Sequence, residues 1–150
     1  YITTVEELYT IFKNIGPDYL RGEVSLELFS SLVKNKRIKN KKIGEFLMNQ
    51  KHACSIGNYL RAEILYDCNL SPHRTCSSLS DSRIAKLYVS IMKIIIEAYE
   101  KGGLTIGDYH DPYGNPGRFV AKVYGNKSKE VITEKDGQGR TIWWCPSTQK

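Results

Sequence analysis

Apolar residues recur every three to four positions through the first hundred residues, the spacing that buries one face of a helix. The longest such stripe runs from Ile84 to Ala98, and the glycine pair at 102–103 that follows is typical of a helix end. The pattern predicts five helices, over Val5–Lys13, Ser25–Val33, Ile43–Asn49, 58–68 and Asp81–Lys101. We expect the first three to pack on the helix over 58–68.

The pattern changes to alternation after a stretch, 111–117, that contains two prolines and two glycines. Alternating residues predict short strands over Phe119–Tyr124, Glu130–Glu134 and Arg140–Trp144. The residues between the last two strands, 135–139, include an Asp-Gly pair and are typical of a hairpin turn. The fold is therefore predicted to be mainly α, with a helical domain over 1–110 and a small antiparallel β-hairpin domain over 111–150.

Composition narrows the class of protein. Of the 150 residues, 41% are hydrophobic and 25% are charged, as in soluble globular proteins. No apolar run approaches the roughly 18 residues of a membrane span. The chain does not open with the charged and apolar regions of a secretory signal, so we expect an intracellular protein without a membrane partner.

Positive charge is concentrated in two segments, within a net charge of +6. Residues 34–42 carry no acid and six cations: Lys34, Lys36, Arg37, Lys39, Lys41 and Lys42. Residues 118–150 carry seven cations and three acids, an excess of +4. Two basic segments on a near-neutral body favour a polyanionic partner. A solvated loop and a nuclear-import signal remain alternative interpretations of residues 34–42.

The start of the helix over 58–68 is the strongest candidate for a binding site. Gly57 precedes Asn58, and asparagine is among the best N-cap residues because its side-chain oxygen accepts a backbone N–H. A helix N-terminus next to glycine presents free N–H groups and the positive end of the helix dipole to an anion. The alternative is an ordinary capped helix of the core.

The same stretch, SIGNYLRAEILY over 55–66, resembles the helix–two-turn–helix signature of the Fpg/Nei DNA glycosylases, and is most similar to their eukaryotic Nei-like branch. Other family motifs follow in family order: Ile15-Gly16-Pro17-Asp18, Phe46–Lys51, Val123-Tyr124-Gly125 and Gly139–Pro146. The resemblance implies a helix–two-turn–helix bundle followed by a finger hairpin, and it covers nearly the whole chain.

The resemblance also implies a function and a partner. It indicates the DNA-binding C-terminal half of a bifunctional base-excision-repair glycosylase and AP lyase that removes oxidised bases, above all oxidised pyrimidines and hydantoins. In the family an N-terminal proline and glutamate carry out the chemistry, and neither is in this chain, so we expect little catalysis from it alone. We expect a monomer that binds damaged DNA in the nucleus or another compartment containing DNA.

The resemblance assigns DNA-binding roles to particular residues. Asn58, with the N–H groups around Gly57 and Tyr59, would bind backbone phosphates beside the lesion. Arg140 matches the finger arginine, which holds the backbone next to the flipped nucleotide. Lys51 is a further phosphate candidate. Glu63 also matches a family position, where it would order the motif.

The cysteines bear on whether the finger binds zinc. Cys54, Cys68, Cys76 and Cys145 form no C-x-x-C pair, so a four-cysteine zinc site has no support. Fpg-like fingers usually carry two such pairs, whereas here Thr148 stands where Cys145 would have its partner. This departure is similar to the zincless finger of the Nei-like branch. We expect no metal, no cofactor and reduced thiols, and structural or surface roles for the histidines.

Two other classes of function stay open at this point. The helix–two-turn–helix unit also occurs in RNA-binding and topoisomerase proteins, so a non-enzymatic nucleic-acid-binding module is the first alternative. The GRTIWW segment over 139–144 argues against it, since those proteins lack such a finger. A protein-interaction domain is the second, and it predicts binding that does not depend on salt.

Overall fold

The computed structural model of this chain describes residues 4–105, 110 and 113–150. Its helices are α1 (Val5–Lys13), α2 (Leu26–Val33), α3 (Ile43–Leu47), α4 (Asn58–Asp67) and α5 (Asp81–Glu100), with a 3₁₀ turn over Cys76–Ser78. Two strands, β1 (Ile132–Lys135) and β2 (Thr141–Trp144), follow. The predicted fold class, mainly helical with a small antiparallel hairpin, is confirmed.

Side-chain caps explain where three of these helices begin. The Thr4 hydroxyl accepts the Glu7 N–H and the Glu7 carboxylate accepts the Thr4 N–H, a complete capping box at α1. At α2 and α5 the cap is a single hydrogen bond: the Ser25 hydroxyl accepts the Leu28 N–H and the Ser80 hydroxyl accepts the Arg83 N–H, as the sequence predicted for both serines. At the other end of α5, Gly102 has a φ of +68°, a conformation that glycine adopts without strain.

The core lies between α4 and α5, with α2 packed on α5 and β2 packed on α4. Phe29 of α2 is fully buried and contacts the rings of Tyr19, Phe46 and Tyr88. The expectation that all three early helices pack on α4 is therefore wrong in part. Helix α3 contacts α4, but α2 packs mainly on α5, and α1 buries none of its residues.

The hairpin pairs Ile132 with Trp144 and Lys135 with Thr141 in antiparallel register. Its turn is closed by the Asp136 carboxylate, which accepts the backbone N–H groups of Gln138 and Arg140, each at 2.9 Å. A side chain that binds the backbone two residues on is the usual reason for aspartate in turns. Residues of the turn itself therefore stabilise its conformation.

The predicted strand over Phe119–Tyr124 does not form. Phe119 makes a single isolated bridge to Leu104, and the N–H groups of Lys122, Val123 and Tyr124 all donate to the Glu63 carboxylate at 2.8–2.9 Å. Donors bound to one carboxylate cannot also pair with a neighbouring strand. The residues of this segment therefore alternate as in a strand, although no strand forms.

The division into domains 1–110 and 111–150 stays a prediction, and the linker 111–117 begins outside the described residues. Hydrogen bonds join the two parts, since the N–H of Arg118 donates to Lys101 O and that of Phe119 to Gly103 O, both at 2.8 Å. In the described part of the chain, no helix has the length and apolar character needed to cross a bilayer.

Candidate nucleic-acid interface

The first turn of α4 is open. Gly57, not Asn58, is the N-cap residue, and no side chain caps this turn, so the expectation that the Asn58 oxygen caps α4 is wrong. A Cβ built on Gly57 would contact nothing within 4 Å. The backbone here faces open space at the positive end of the helix dipole, which suits the close approach of an anion.

The Asn58 side chain instead joins α4 to the hairpin. Its Nδ2 donates to the carbonyl oxygen of Thr141 at 3.0 Å, and its Oδ1 accepts from Arg61 Nη2 at 2.5 Å. The Thr141 carbonyl of the hairpin and the Arg61 guanidinium of α4 therefore determine the orientation of the Asn58 side chain. This alternative set of partners explains why the side chain does not cap the helix.

Arg61 and Asp136 form a buried ion pair behind Asn58. Arg61 Nη1 lies 3.0 Å from Asp136 Oδ2, and both side chains are only 1% exposed. Arg61 Nη2 also donates to Thr141 O at 3.3 Å. Buried charges need a partner and further hydrogen bonds, and here α4 and the hairpin each supply half of the pair.

Arg140 binds the same carboxylate from the other side. Its Nε lies 3.1 Å from Asp136 Oδ2, and its side chain is 33% exposed. This contact uses the Nε edge of the guanidinium and orients the group on the hairpin turn. Asn58, Arg61, Asp136 and Arg140 therefore form one continuous network, which brings the start of α4 and the hairpin turn together.

Titration of Asp136 reflects these contacts. Burial opposes ionisation of its carboxyl, but the backbone N–H of Arg140 and the Arg61 guanidinium, with smaller contributions from Gln138 and the Arg140 side chain, outweigh it. The pKa of Asp136 is therefore held well below its ordinary value. Burial lowers the pKa of Arg61, but an arginine starts so high that the guanidinium stays protonated.

Tyr59 and Lys51 are the remaining predicted site residues. Tyr59 follows Asn58 in the first turn, and its ring packs near those of Phe119 and Tyr124, with centroids 6.0 and 6.2 Å away. Its side chain is thus part of the packing. Lys51 is exposed, and its own N–H donates to Asn49 Oδ1 at 3.0 Å, so its side chain projects from an ordered turn.

Glu63 fixes α4 against the segment after Arg118. Its side chain is buried and accepts the three consecutive N–H groups of residues 122–124. A carboxylate that receives several backbone donors is held in one position and holds them in turn. The structure agrees with the ordering role expected for Glu63.

A second contact attaches the hairpin to the helical part. Glu134 Oε1 lies 2.5 Å from His73 Nε2 and accepts the indole N–H of Trp144 at 2.6 Å. The His73 ring stands edge-on to Trp144 at 5.0 Å. His73 is therefore structural, as is His52, whose ring stacks on Phe46 at 5.2 Å.

The residues of the hairpin do not fit a zinc site. Cys145 is its one thiol, with Ser147 Oγ 3.1 Å and Thr148 Oγ1 3.6 Å from the sulfur. Those hydrogen bonds, that of Ser147 first, lower the pKa of Cys145. Within residues 4–105, 110 and 113–150, no three His, Cys, Asp or Glu side chains are grouped as a metal would require.

Sequence reasoning missed Arg61 and Asp136. Arg61 is a cation on a helix whose neighbours are largely apolar, three residues after Asn58, so the two share a face of α4. Asp136 was assigned only to the turn. A cation on a largely apolar helix indicates an ion pair, which was the available signal at Arg61. Nothing in the sequence points to Asp136, 75 residues away, as its partner.

Comparison with known proteins identifies the family. The formamidopyrimidine-DNA glycosylase H2TH domain matches residues 15–110. This chain belongs to that family. It is 32% identical over 151 residues to a formamidopyrimidine-DNA glycosylase of Pasteurella multocida, in a match covering 95% of this chain and 54% of that protein. A relative from Histophilus somni is 33% identical, with 100% and 57% covered.

Solved structures of Fpg proteins have the same fold. Lactococcus lactis Fpg, in a complex with abasic site containing DNA, has a TM-score of 0.80 at 25% identity, covering 99% of this chain and 57% of that one. The MutM (Fpg) protein of Thermus thermophilus has a TM-score of 0.81 at 28% identity, with 91% and 54% covered. The chain thus spans about half the length of the relatives it matches. These relatives are bacterial and do not confirm the expected Nei-like branch.

Proposed function

We propose that this chain is the DNA-binding part of a bifunctional DNA glycosylase and AP lyase of base-excision repair. The observation that carries this proposal is the network from Asn58 through Arg61 and Asp136 to Arg140, which brings an open helix N-terminus beside a partly exposed guanidinium. Membership of the H2TH family and the likeness to a solved complex with abasic-site DNA support it.

The proposed partner is the backbone of damaged DNA. The N–H groups around Gly57 and Tyr59, together with Asn58, bind one phosphate, and Arg140 binds another with the guanidinium nitrogens that Asp136 does not use. Lys51 adds a further contact from its exposed turn. Such contacts position the protein without reading sequence.

The two-point contact suits an enzyme that removes a base. Chemistry on a base inside a duplex requires the nucleotide to be rotated out of the stack, at a cost of a few kcal/mol. Phosphate contacts on both sides of the nucleotide hold the distorted backbone and offset part of that cost. The buried Arg61–Asp136 pair keeps the two contacts at a fixed separation.

We further propose that the protein belongs to the Nei-like branch and acts on oxidised pyrimidines and hydantoins. The support is the SIGNYLRAEILY segment over 55–66 and a hairpin with one thiol where Fpg-like fingers carry two cysteine pairs. The Arg61–Asp136 pair and the His73–Glu134 contact attach this hairpin to the helical part. Both contacts stabilise the hairpin without a metal.

The remaining proposals concern the state of the protein. By itself the chain releases little base, because the family's catalytic proline and glutamate have no counterpart in it, and it acts as a monomer. It works in a compartment that contains DNA, whether the nucleus or another. Residues 1–110 form its helical DNA-binding unit and 111–150 its hairpin unit.

Binding to a fluorescent duplex with an abasic-site analogue tests the main proposal. We expect Asn58→Ala and Arg140→Ala each to weaken binding by about 1–3 kcal/mol. A Lys86→Ala control, at an exposed position of α5 outside both basic segments, should change it far less. Wild-type affinity in either variant would remove that residue from the interface. Full turnover of a damaged base by this chain would contradict the proposal that it releases little base alone.

A further inference from the structure

A polar groove lies next to the proposed phosphate contacts. It has a volume of about 400 Å³ and lies between α3, the segments directly before and after this helix, and the hairpin turn. Lys41 and Glu45 line it from the helical part, and Gln138 and Arg140 from the turn. Arg140 is therefore shared between the proposed interface and this groove.

Lys41 belongs to the basic loop, residues 34–42, but its backbone is fixed. Its N–H donates to Ile38 O at 2.8 Å, and its carbonyl accepts the N–H of Cys76 at 2.9 Å. The next residue, Lys42, forms an isolated antiparallel β-bridge with Thr75. The loop thus presents Lys41 to the groove from a defined position, unlike a lysine in a freely solvated segment.

Most of the cations of this loop lack a carboxylate partner. Lys34 pairs with Asp81 at 2.5 Å. Across the described residues, no ion pair is formed by the other five: Lys36, Arg37, Lys39, Lys41 and Lys42. An unpaired cluster of this kind attracts a polyanion.

The acids of the groove do not cancel this charge. Asp136 is already bound by two arginines, which leaves Glu45 as the lining carboxylate without an ion pair in the described part of the chain. His52 lies in the lining and stacks on Phe46, and burial, with the nearby Lys51 charge, lowers its pKa. The groove therefore offers Lys41 and Arg140 to an anion, opposed by Glu45.

We propose that this groove binds a further phosphodiester of the DNA, next to the one held by Arg140. The inference rests on the proposed function and extends it, because it assigns the basic loop to the path of the DNA backbone. Lys41 makes the contact, and the remaining unpaired cations of the loop lie further along that path. Glu45 weakens the contact through its like charge.

The test measures duplex affinity against salt concentration for the wild-type chain and three variants. Each neutralised phosphate contributes about 0.9 to the slope of log K against log salt. We expect Lys41→Gln to reduce the slope by that amount and to weaken binding roughly twofold to fivefold. Lys86→Gln removes the same charge from an exposed position on α5, outside the groove and both basic segments, and should leave the slope unchanged. Glu45→Gln should tighten binding.

The outcomes separate the two proposals. Equal effects of Lys41→Gln and Lys86→Gln would show a response to net charge alone and would overturn the inference. No effect of Lys41→Gln, or weaker binding by Glu45→Gln, would overturn it as well. In each case wild-type binding to damaged DNA leaves the proposed function standing. A wild-type chain that does not bind DNA would overturn both.

A second measurement uses the length of the duplex. Duplexes are shortened from one end at a time, with the abasic-site analogue kept in place. We expect one of the two series to lose affinity for the wild-type chain in a step that Lys41→Gln does not show. Identical length profiles for the two proteins would overturn the inference independently of the salt slopes.

Discussion

Replacing Asp136 by asparagine removes the central charge of the network at nearly constant shape. The oxygen of the new side chain can still accept the N–H groups that close the turn, but its amide would place a donor against Arg61 Nη1, which the carboxylate accepts at 3.0 Å in the native chain. The Arg61 guanidinium is only 1% exposed. It would therefore be left as a buried charge without a counter-ion.

The size of the effect follows from that burial. Removing one partner of a buried ion pair costs about 3–5 kcal/mol, against a total of roughly 5–15 kcal/mol for a typical domain. The Arg140 contact with Asp136 adds little because Arg140 is partly exposed. We expect Asp136→Asn to lower the free energy of unfolding by about 3–5 kcal/mol.

Urea unfolding followed by circular dichroism measures this change. With an m value of about 2 kcal/mol/M, the midpoint should fall by roughly 2 M with the slope unchanged. The control is Asp81→Asn. The Asp81 side chain is 82% exposed, so its ion pair with Lys34 should contribute at most about 1 kcal/mol. Equal midpoints for Asp136→Asn and Asp81→Asn would refute the reasoning.

The difference in stability between wild type and Asp136→Asn should also decrease as the pH falls. The pKa of Asp136 is lower in the folded chain than in the unfolded one, so its contribution is complete above the unfolded value of about 3.9 and is lost as the pH falls below it. The gap between wild type and Asp136→Asn should be constant from about pH 5 to 8 and narrow below about pH 4.

Three further predictions concern the packing around the site. Glu63→Gln replaces one of the two carboxylate oxygens that accept the N–H groups of residues 122–124 by an amide donor. It should lower the free energy of unfolding by about 1.5–3 kcal/mol in the same urea assay. A change within error would mean that other contacts hold the 122–124 segment. Burial raises the pKa of Cys68 to about 12 and that of Cys76 to about 11. Neither thiol should therefore react with a thiol reagent at pH 8 until the chain unfolds. Rapid labelling of the native chain would contradict their burial. Treatment with a strong chelator should leave the melting temperature unchanged, whereas a drop would reveal a metal in the hairpin.

The sequence predicted those elements whose causes are local. Ser25 and Ser80 precede apolar stripes and cap them, and Asp-Gly lies in a turn between two alternating segments, so α2, α5 and the hairpin were found within a few residues. The segment over 119–124 alternates as a strand does, but a distant carboxylate on α4 takes its N–H groups. No local pattern reveals such a partner.

The same distinction applies to the candidate site. Asn58 and Arg140 were proposed from the resemblance, and the structure brings the start of α4 and the hairpin turn together. Their connection runs through Arg61 and Asp136, which are 75 residues apart in the chain and meet only in the folded state. For that reason the Asn58 side chain was expected at the helix cap, whereas its partners are Arg61 and the hairpin.

Chemical-shift mapping tests the central claim, that the start of α4 and the hairpin turn form one DNA-binding face. A short duplex with an abasic-site analogue is titrated into the ¹⁵N-labelled chain. The backbone signals of Gly57, Asn58 and Tyr59 and the Nε–H signal of Arg140 should move together along one binding curve, and their shifts should diminish with added salt. Binding that leaves the Arg140 signal or the α4 signals in place, and moves others, would contradict the account.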